Sequence, residues 1–509
     1  MIFDDVIVGA GSSGAVLAAR LSEDRSRQVL LIESGPDYRS IDVTPDDLLH
    51  GQVSLVDHDW GYCADAVAGR TISYPRGKVV GGSSAVNGTI ALRGDPADFS
   101  EWAARGLAEW DWDEVLPFYR VVEDDPDGAA IDPYGHRTGG ALPIDRVPPN
   151  AWQPFQSAFR EACCAYGFTS CADLNSAGAS GVGVFPRNKR NGVRMSTALT
   201  YLAEARHRSN LTILSDAHVD FIVIEDGRAV SVEVIQRGQR RRVAGGRIAL
   251  AAGAIASPAI LMRSGIGPRA QLEALKIACR ADLPVGTVLL DHPSVGLPGL
   301  PVSGVPHDLP IVTEIGVRYR SRGSAEDNDM QLCLATMFDP EQMRGFMPDP
   351  VAMFMVGAVL MRPHSTGRLT IESTDPFVAP RIELNYLDDP RDTARMIEAW
   401  RIGRDLCRTD PLASMVQCLL VDDATLDDDA ALASLIRDQV TTTFHPAGTA
   451  PMGRHDDERA VVDAHGRAHG IDGLWVVDAS IMPTSVRSNT NLTVIMMAER
   501  IASWMASEN

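Results

Sequence analysis

The first 33 residues narrow the possible folds of this chain more than any other stretch. A short apolar strand, Phe3 to Val8, runs directly into Gly9-Ala-Gly11-Ser-Ser-Gly14, which opens a small-residue helix from Ala15 to Leu21. A second apolar run, Val29-Leu-Leu-Ile, ends in Glu33. Gly9 allows the tight turn, Gly11 lets backbone approach a pyrophosphate, and Gly14 lets the helix pack close on the strand. The helix N-terminus then turns unpaired N–H groups and partial positive charge towards the phosphates. Glu33 stands where a carboxylate accepts hydrogen bonds from a ribose diol. Strand, loop, helix, strand and acid in this register predict a Rossmann-type dinucleotide-binding unit.

With 509 residues, 45% hydrophobic and 22% charged, the chain has room for two or three domains and a large core. No charged segment leads into a signal-type apolar stretch, and no run of eighteen apolar residues occurs, so a cytoplasmic protein without a membrane span is expected. The eight cysteines are scattered without a CxxC or a Cys/His metal spacing, which fits a reducing compartment and predicts no metal site. Cys163 and Cys164 read as small apolar residues on a helix. A net charge of −20, from 67 acidic against 47 basic residues, argues against nucleic acid or an anionic membrane as partner. The acidic runs at Glu123–Asp127 and Asp427–Asp429 read as solvated loops.

Further along, Gly-rich sequence with apolar interleaving covers 70–95, and Trp102 to Val122 has helical character. Strand spacing returns at Leu211–Leu214, Phe221–Ile224, Val230–Ile235 and Arg247–Gly253, with a hairpin turn at Glu225-Asp-Gly-Arg228. The segment 295–385, including Met353–Leu360 and Arg368–Ile371, reads as a separate, largely antiparallel sheet. After Asp392 the pattern is helical, and Leu492 to Met505 reads as an amphipathic helix. The fold class expected is α/β: a Rossmann-type domain built from discontinuous segments, plus an α+β domain with a mainly antiparallel sheet. The expected division assigns 1–150, 191–294 and 436–509 to the first domain, and 151–190 and 295–435 to the second.

Four separated blocks resemble the glucose-methanol-choline (GMC) oxidoreductases, a family of FAD enzymes. They are Gly9–Gly14 with Glu33; Arg76-Gly-Lys-Val-Val80-Gly81-Gly82-Ser83-Ser-Ala-Val-Asn87-Gly88; Gly253 to Gly267; and the C-terminal set Phe444-His445-Pro-Ala-Gly-Thr449, Val476–Ser480 and Asn489-Thr-Asn491. The resemblance covers nearly the whole chain. It implies that FAD is held by Gly9, Gly11, Ser12, Ser13, Gly14 and Glu33, by Arg76, Val80, Gly81, Gly82, Ser83, Asn87 and Gly88, and by Val219, Ala252, Gly253, Asp478, Ala479, Asn491 and Thr493. The second block also has a physical reading, since only small side chains let backbone N–H groups press against a pyrophosphate or flavin edge. Some relatives attach FAD through a histidine just before the asparagine of that block. Val86 stands there, so non-covalent FAD is expected. In the third block, Ser257-Pro258 reads as a helix start.

The resemblance further implies a catalytic pair, His445 as base and Asn491 as its partner. Oxidising an alcohol removes a hydroxyl proton, which a neutral imidazole can take, and a hydride, which flavin N5 accepts. An asparagine has no useful pKa and positions the oxygen by hydrogen bond. The final helix, starting near Asn491, is expected to direct its positive end at the flavin. Ile90, Leu92 and Phe444 would wall an apolar substrate pocket, while Met353, Phe354 and Met355 read chiefly as core. These features point to an FAD-dependent alcohol oxidase or dehydrogenase acting on a primary alcohol, such as an aryl or furan methanol or a fatty alcohol, with dioxygen or another electron acceptor. The acidic balance leaves room for an aminated sugar or choline-like cation. A hydroxynitrile lyase with non-redox FAD, or a catalytically silent flavin-binding protein, are the alternatives.

Overall fold

In the computed structural model, residues 3–50, 57–304, 313–337 and 351–508 are described. Two large sheets organise the molecule. The first has parallel strands Leu211–Leu214, Val29–Ile32, Phe3–Val8 and Gln239–Leu250 in that spatial order, with Leu474–Val476 pairing alongside the last. Val6 lies between Leu30 and Ile248, and all three are buried. Such unbroken apolar runs suit strands covered on both faces. The long strand Gln239–Leu250 also pairs antiparallel with Arg228–Gln236, which in turn pairs with Ala217–Glu225. Asp226 and Gly227 carry φ of 48° and 77°, the two positive values that a type I′ hairpin turn needs.

The helix Gly14–Leu21 packs on the strand before it and on the final helix, Thr490–Ser507. Gly14 is required there because a Cβ would overlap the carbonyl oxygen of Gly9. The final helix is not amphipathic as expected: every residue from Leu492 to Ala502 is buried. It runs through the interior, so its solvent-facing side is reduced to positions near its end.

The second sheet is antiparallel throughout, in the order Val416–Leu419, Pro293–Pro301, Met353–Leu360, Met330–Met337, Ile315–Tyr319 and Gly181–Val184. Arg368–Thr370 does not join it. That strand pairs with Arg381–Glu383 in a four-stranded sheet that also holds Cys63–Val67 and Arg70–Ser73. The chain is therefore an α/β protein with a discontinuous Rossmann-like part and a separate antiparallel sheet.

Three local readings are corrected. The helical stretch near Trp102–Val122 is two helices, Pro96–Ala104 and Trp112–Val122, joined through a 3-10 turn. The third block's helix begins at Gly253, which leaves Pro258 inside it. Proline cannot donate to the Ala254 carbonyl four residues back, and the Thr449 hydroxyl fills that gap at 2.8 Å. The acidic run at 123–127 is not a solvated loop. Glu123 and Asp125 are buried with His136, Asp173, Arg93 and Arg146 in a cluster of ion pairs. Three carboxylates face two guanidinium groups and one imidazole there, which balances the charge when the imidazole is protonated. Asp427 and Asp429 do behave as surface residues, pairing with Arg404 and Arg401. On the helix Pro154–Tyr166, Cys163 is buried and Cys164 exposed.

Candidate active site

A cavity of about 1330 Å³ runs between the first sheet and the antiparallel one, and residues from all four sequence blocks line it. One group of lining residues is Gly9, Gly11, Ser12, Ser13, Glu33, Val219, Ala252 and Gly253; a second is Arg76, Gly82, Ser83, Asn87 and Gly88; a third is His445, Asp478, Ala479 and Asn491. The two glycine loops are in contact. Gly81 N–H donates to the Ala10 carbonyl at 2.8 Å, and a Cβ on Gly82, whose φ is 50°, would stand 2.6 Å from the Gly11 Cα. Side chains here would force the loops apart and fill the cradle. The space kept clear by small residues, against bare backbone, fits a long nucleotide cofactor.

Glu33 is buried, and burial pushes its carboxyl above the usual range. Its oxygens accept N–H groups of Ala10 at 2.9 Å and Gly35 at 3.0 Å, which ties the acid to the glycine loop. Asp478 plays a similar part at the third block: one oxygen accepts Gly253 N–H at 2.9 Å and the Ser257 hydroxyl at 2.6 Å. Ser257 is thus a bridge between segments and not the helix cap expected. Val86, which lines the cavity at the position of the attachment histidine, has no nucleophilic atom.

The imidazole of His445 is held at both nitrogens. The Thr443 hydroxyl has one hydrogen, and it donates that to the His292 carbonyl at 3.0 Å. With that hydrogen on the carbonyl, Thr443 Oγ1 accepts from His445 Nδ1 at 2.9 Å and Nδ1 carries the proton, the tautomer that leaves Nε2 as the base. His292 Nδ1, 3.0 Å from the same atom, is then also an acceptor. The lone pair of His445 is left on Nε2, where the Asn489 side-chain Nδ2 donates at 3.1 Å. Burial, reinforced by His292 and Arg76, holds the His445 pKa well below the usual histidine value. Burial likewise brings His292 down to about 4. The resting imidazole is neutral, with its basic atom presented beside a carboxamide.

The backbone under this ring is fixed by Asp291. One carboxylate oxygen accepts the N–H groups of His292 and His445, both at 2.8 Å. The other accepts the hydroxyls of Tyr74 and Tyr386, both at 2.6 Å, and of Thr442 at 2.7 Å. Between Thr442 and His445, Phe444 adopts φ of 64°, a conformation that an aromatic residue rarely takes. Its carbonyl accepts from Arg76 at 2.9 Å and its N–H donates to Thr442 Oγ1 at 2.7 Å.

The structure reassigns one member of the expected pair. Asn489, not Asn491, faces the imidazole. Asn491 turns the other way along the helix, where its Oδ1 accepts the Ser12 hydroxyl at 2.7 Å. As the N-cap and the second residue of one helix, the two carboxamides project in different directions. Ile90 and Phe444 line the cavity as expected. Leu92 does not: it is buried against Leu174 and Phe185. Val80 belongs to a buried core, Gly14 and Gly81 stand behind the cavity wall, and the Thr493 hydroxyl pairs with Tyr119 at 2.7 Å. Met353 and Phe354 are buried and, with Met355, lie outside the lining. Val359, Met361 and Gln331 form the wall from the antiparallel sheet instead. The Oε1 of Gln331 is buried and has no hydrogen-bond partner among the described residues. Asp291, His292 and Gln331 carry no local pattern that sequence reading detects; Asn489 was visible, two residues from the asparagine chosen.

Comparison with known proteins agrees with this geometry. The family model described as GMC oxidoreductase matches residues 3–294 in its N-terminal part and 363–498 in its C-terminal part. A 5-(hydroxymethyl)furfural oxidase of Methylovorus sp. (strain MP688) is 35% identical, with 98% of each chain covered. An oxygen-dependent choline dehydrogenase of Ectopseudomonas mendocina (strain ymp) is 36% identical, over 98% of this chain and 93% of its own. The crystal structure of pyridoxine 4-oxidase from Mesorbium loti superposes with a TM-score of 0.90 at 33% identity, covering 100% of both chains. Among the described residues no helix is long and apolar enough to cross a membrane.

Proposed function

The chain belongs to the GMC oxidoreductase family of FAD-dependent enzymes acting on alcohol-type substrates, and on that premise we propose that it oxidises a primary alcohol to the aldehyde. The observation that carries this reading is the placement of His445, with Nδ1 held by Thr443 at 2.9 Å and Nε2 set 3.1 Å from the Asn489 amide nitrogen. An alcohol oxygen placed between them accepts from Asn489 Nδ2 while its hydroxyl proton goes to His445 Nε2. Bound FAD supplies the hydride acceptor. Asp291, Thr443 and His292 keep the ring from turning, so the basic atom is presented before substrate arrives.

The cradle formed by Gly9–Gly14, Gly82–Gly88, Glu33, Gly253 and Asp478 is assigned to FAD, held without a covalent bond because Val86 offers no attachment atom. The relatives' names include compounds bearing a primary hydroxyl, and two of those names specify an oxidase, which favours dioxygen as electron acceptor. The test is anaerobic mixing of the holoenzyme with benzyl alcohol, 5-(hydroxymethyl)furfural, choline and pyridoxine. Flavin bleaching by at least one, followed by peroxide release on admitting air, is expected. A flavin that none of these or further primary alcohols bleaches defeats the proposal.

A further inference from the structure

The same cavity contains an arginine that the proposed oxidation does not use. Arg187 lines it from the segment after the strand Gly181–Val184. Its backbone is clamped to Asp145 by reciprocal hydrogen bonds of 2.8 Å. Its guanidinium is held by neutral oxygens only: Nη1 donates to the Gly88 carbonyl at 3.1 Å and the Thr89 hydroxyl at 3.2 Å, and Nη2 donates to the Thr313 carbonyl. Nε makes no hydrogen bond among the described residues. Nor, among the described residues, does any carboxylate come within ion-pair distance of this group.

Buried Arg194 is held by carbonyl oxygens alone, much as Arg187 is held by neutral ones, while other arginines have carboxylate partners. Arg146 faces Asp125 and Asp173, Arg318 faces Asp95, and Arg487 faces Asp98. Arg187 is half-buried, and a guanidinium partly removed from water gains from a counter-anion that a ligand can supply. Lys189, two residues on, lines the same cavity and is also without an ion-pair partner among the described residues. Of the lining acids Glu33, Asp145, Glu314 and Asp478, none lies within ion-pair distance of either cation, although Glu314 acts on both at longer range. Arg187 forms a β-bridge with Ile90, the residue expected on the substrate wall, and both line the cavity, so the guanidinium stands on the side of the cavity where the alcohol would bind.

We propose that Arg187 is the anchor for a carboxylate on the substrate, which makes the preferred alcohol an anionic hydroxymethyl compound and disfavours a quaternary ammonium. The carboxylate would take the free Nε–H and the remaining Nη2–H, the side-on fork that guanidinium offers to two oxygens. The proposal rests on the alcohol-oxidation reading for its reacting end, though not for binding at Arg187.

Two measurements separate them. In the first, oxidised holoenzyme is titrated with benzoate and with benzamide, and the flavin absorbance change is followed without turnover. Benzoate binding that weakens at least tenfold in Arg187→Gln, with benzamide changed far less, is expected. Arg187→Lys, which keeps the charge and loses the fork, should fall between. In the second, kcat/KM is compared for 4-(hydroxymethyl)benzoate and its methyl ester. The ratio of acid to ester should exceed one and fall at least tenfold in Arg187→Gln, a ratio in which general damage to the enzyme cancels. Equal loss for acid and ester, or benzoate binding indifferent to Arg187, overturns the anchor. Benzoate binding that depends on Arg187 while no alcohol bleaches the flavin would sink the oxidation reading and leave the anchor standing.

Discussion

Asp291 Oδ1 accepts the backbone N–H of His445 at 2.8 Å, although 154 residues separate them in the chain. Four further donors converge on the same carboxylate, so the acid fixes two loops and two tyrosines as well as the imidazole's backbone. Asp291→Asn removes the charge and puts an NH2 group either against two backbone N–H groups, which can only donate, or against three hydroxyls, which would have to rotate to accept. Hydrogen bonds to a charged group contribute roughly 1.5–3 kcal/mol each, and all five lose that charge. A lower midpoint of thermal unfolding is expected, together with alcohol-driven flavin reduction slowed by at least tenfold in the protein that still binds FAD. Stopped-flow reduction of the yellow fraction measures the second effect.

The two asparagines of the last helix should separate cleanly. Asn489→Ala removes the donor beside His445 Nε2 and is expected to lower flavin reduction by about 10- to 100-fold, of the order of one good hydrogen bond, with FAD retained. Asn491→Ala breaks the bond to Ser12 and should show itself first as weakened FAD retention during gel filtration. His445→Ala should lower reduction by roughly 10²–10⁴-fold and leave the bound FAD yellow. Equal effects of the two asparagine substitutions on FAD retention would contradict the assignment.

The low pKa of His445 fixes a sign for the pH profile. A base that is already neutral at pH 6.5 gains nothing as pH rises above that value. Loss of the reduction rate through this group should therefore occur only as pH falls below the ordinary histidine range. A rate that still climbs steeply between pH 7 and 9, and loses that climb in His445→Ala, would contradict it. His292, down at about 4, makes the matching statement on stability. Between pH 6.5 and 4 the unfolded chain binds this proton and the folded chain does not, so stability falls as pH falls through that window. The contribution is on the order of 3 kcal/mol, and denaturant midpoints at pH 7 and 4.5 would reveal it.

His136 carries the opposite sign. Burial would lower its pKa, but hydrogen bonds to Asp125, Asp173 and Glu123 overcome this and bring it up to about 10. The stabilisation is complete below pH 6.5 and disappears as pH rises from there through 10. His136→Gln should flatten the loss of thermal stability between pH 7 and 10 while lowering stability at pH 7.

Crowding of the glycine loops gives a prediction independent of catalysis. Gly82→Ala places a methyl group 2.6 Å from the Gly11 Cα at a φ of 50°, so both sterics and backbone oppose it. FAD content on purification should drop sharply, and added FAD should not restore it.

Much of this was legible in the sequence where function demands local spacing. The Gly9–Gly14 turn, Glu33 and the hairpin at Asp226-Gly227 depend on neighbours in the chain, and each is found where its spacing predicts. Burial from distant segments was not legible. Glu123 and Asp125 look like surface acids until Arg93, Arg146 and His136 surround them, and Leu492–Ala502 looks amphipathic until sheet and helices enclose it. Asn489 and Asn491 are confusable in the sequence for a smaller reason. Two residues of helix rotate a side chain by about 200°, and a one-dimensional motif does not say which carboxamide faces the histidine.

The bond between Ser12 and Asn491 joins residues 479 positions apart. During synthesis, the glycine turn must therefore wait for the closing helix, Thr490–Ser507, before its wall is complete. The two ends of the chain thus close one wall together, the helix Gly14–Leu21 resting on Thr490–Ser507.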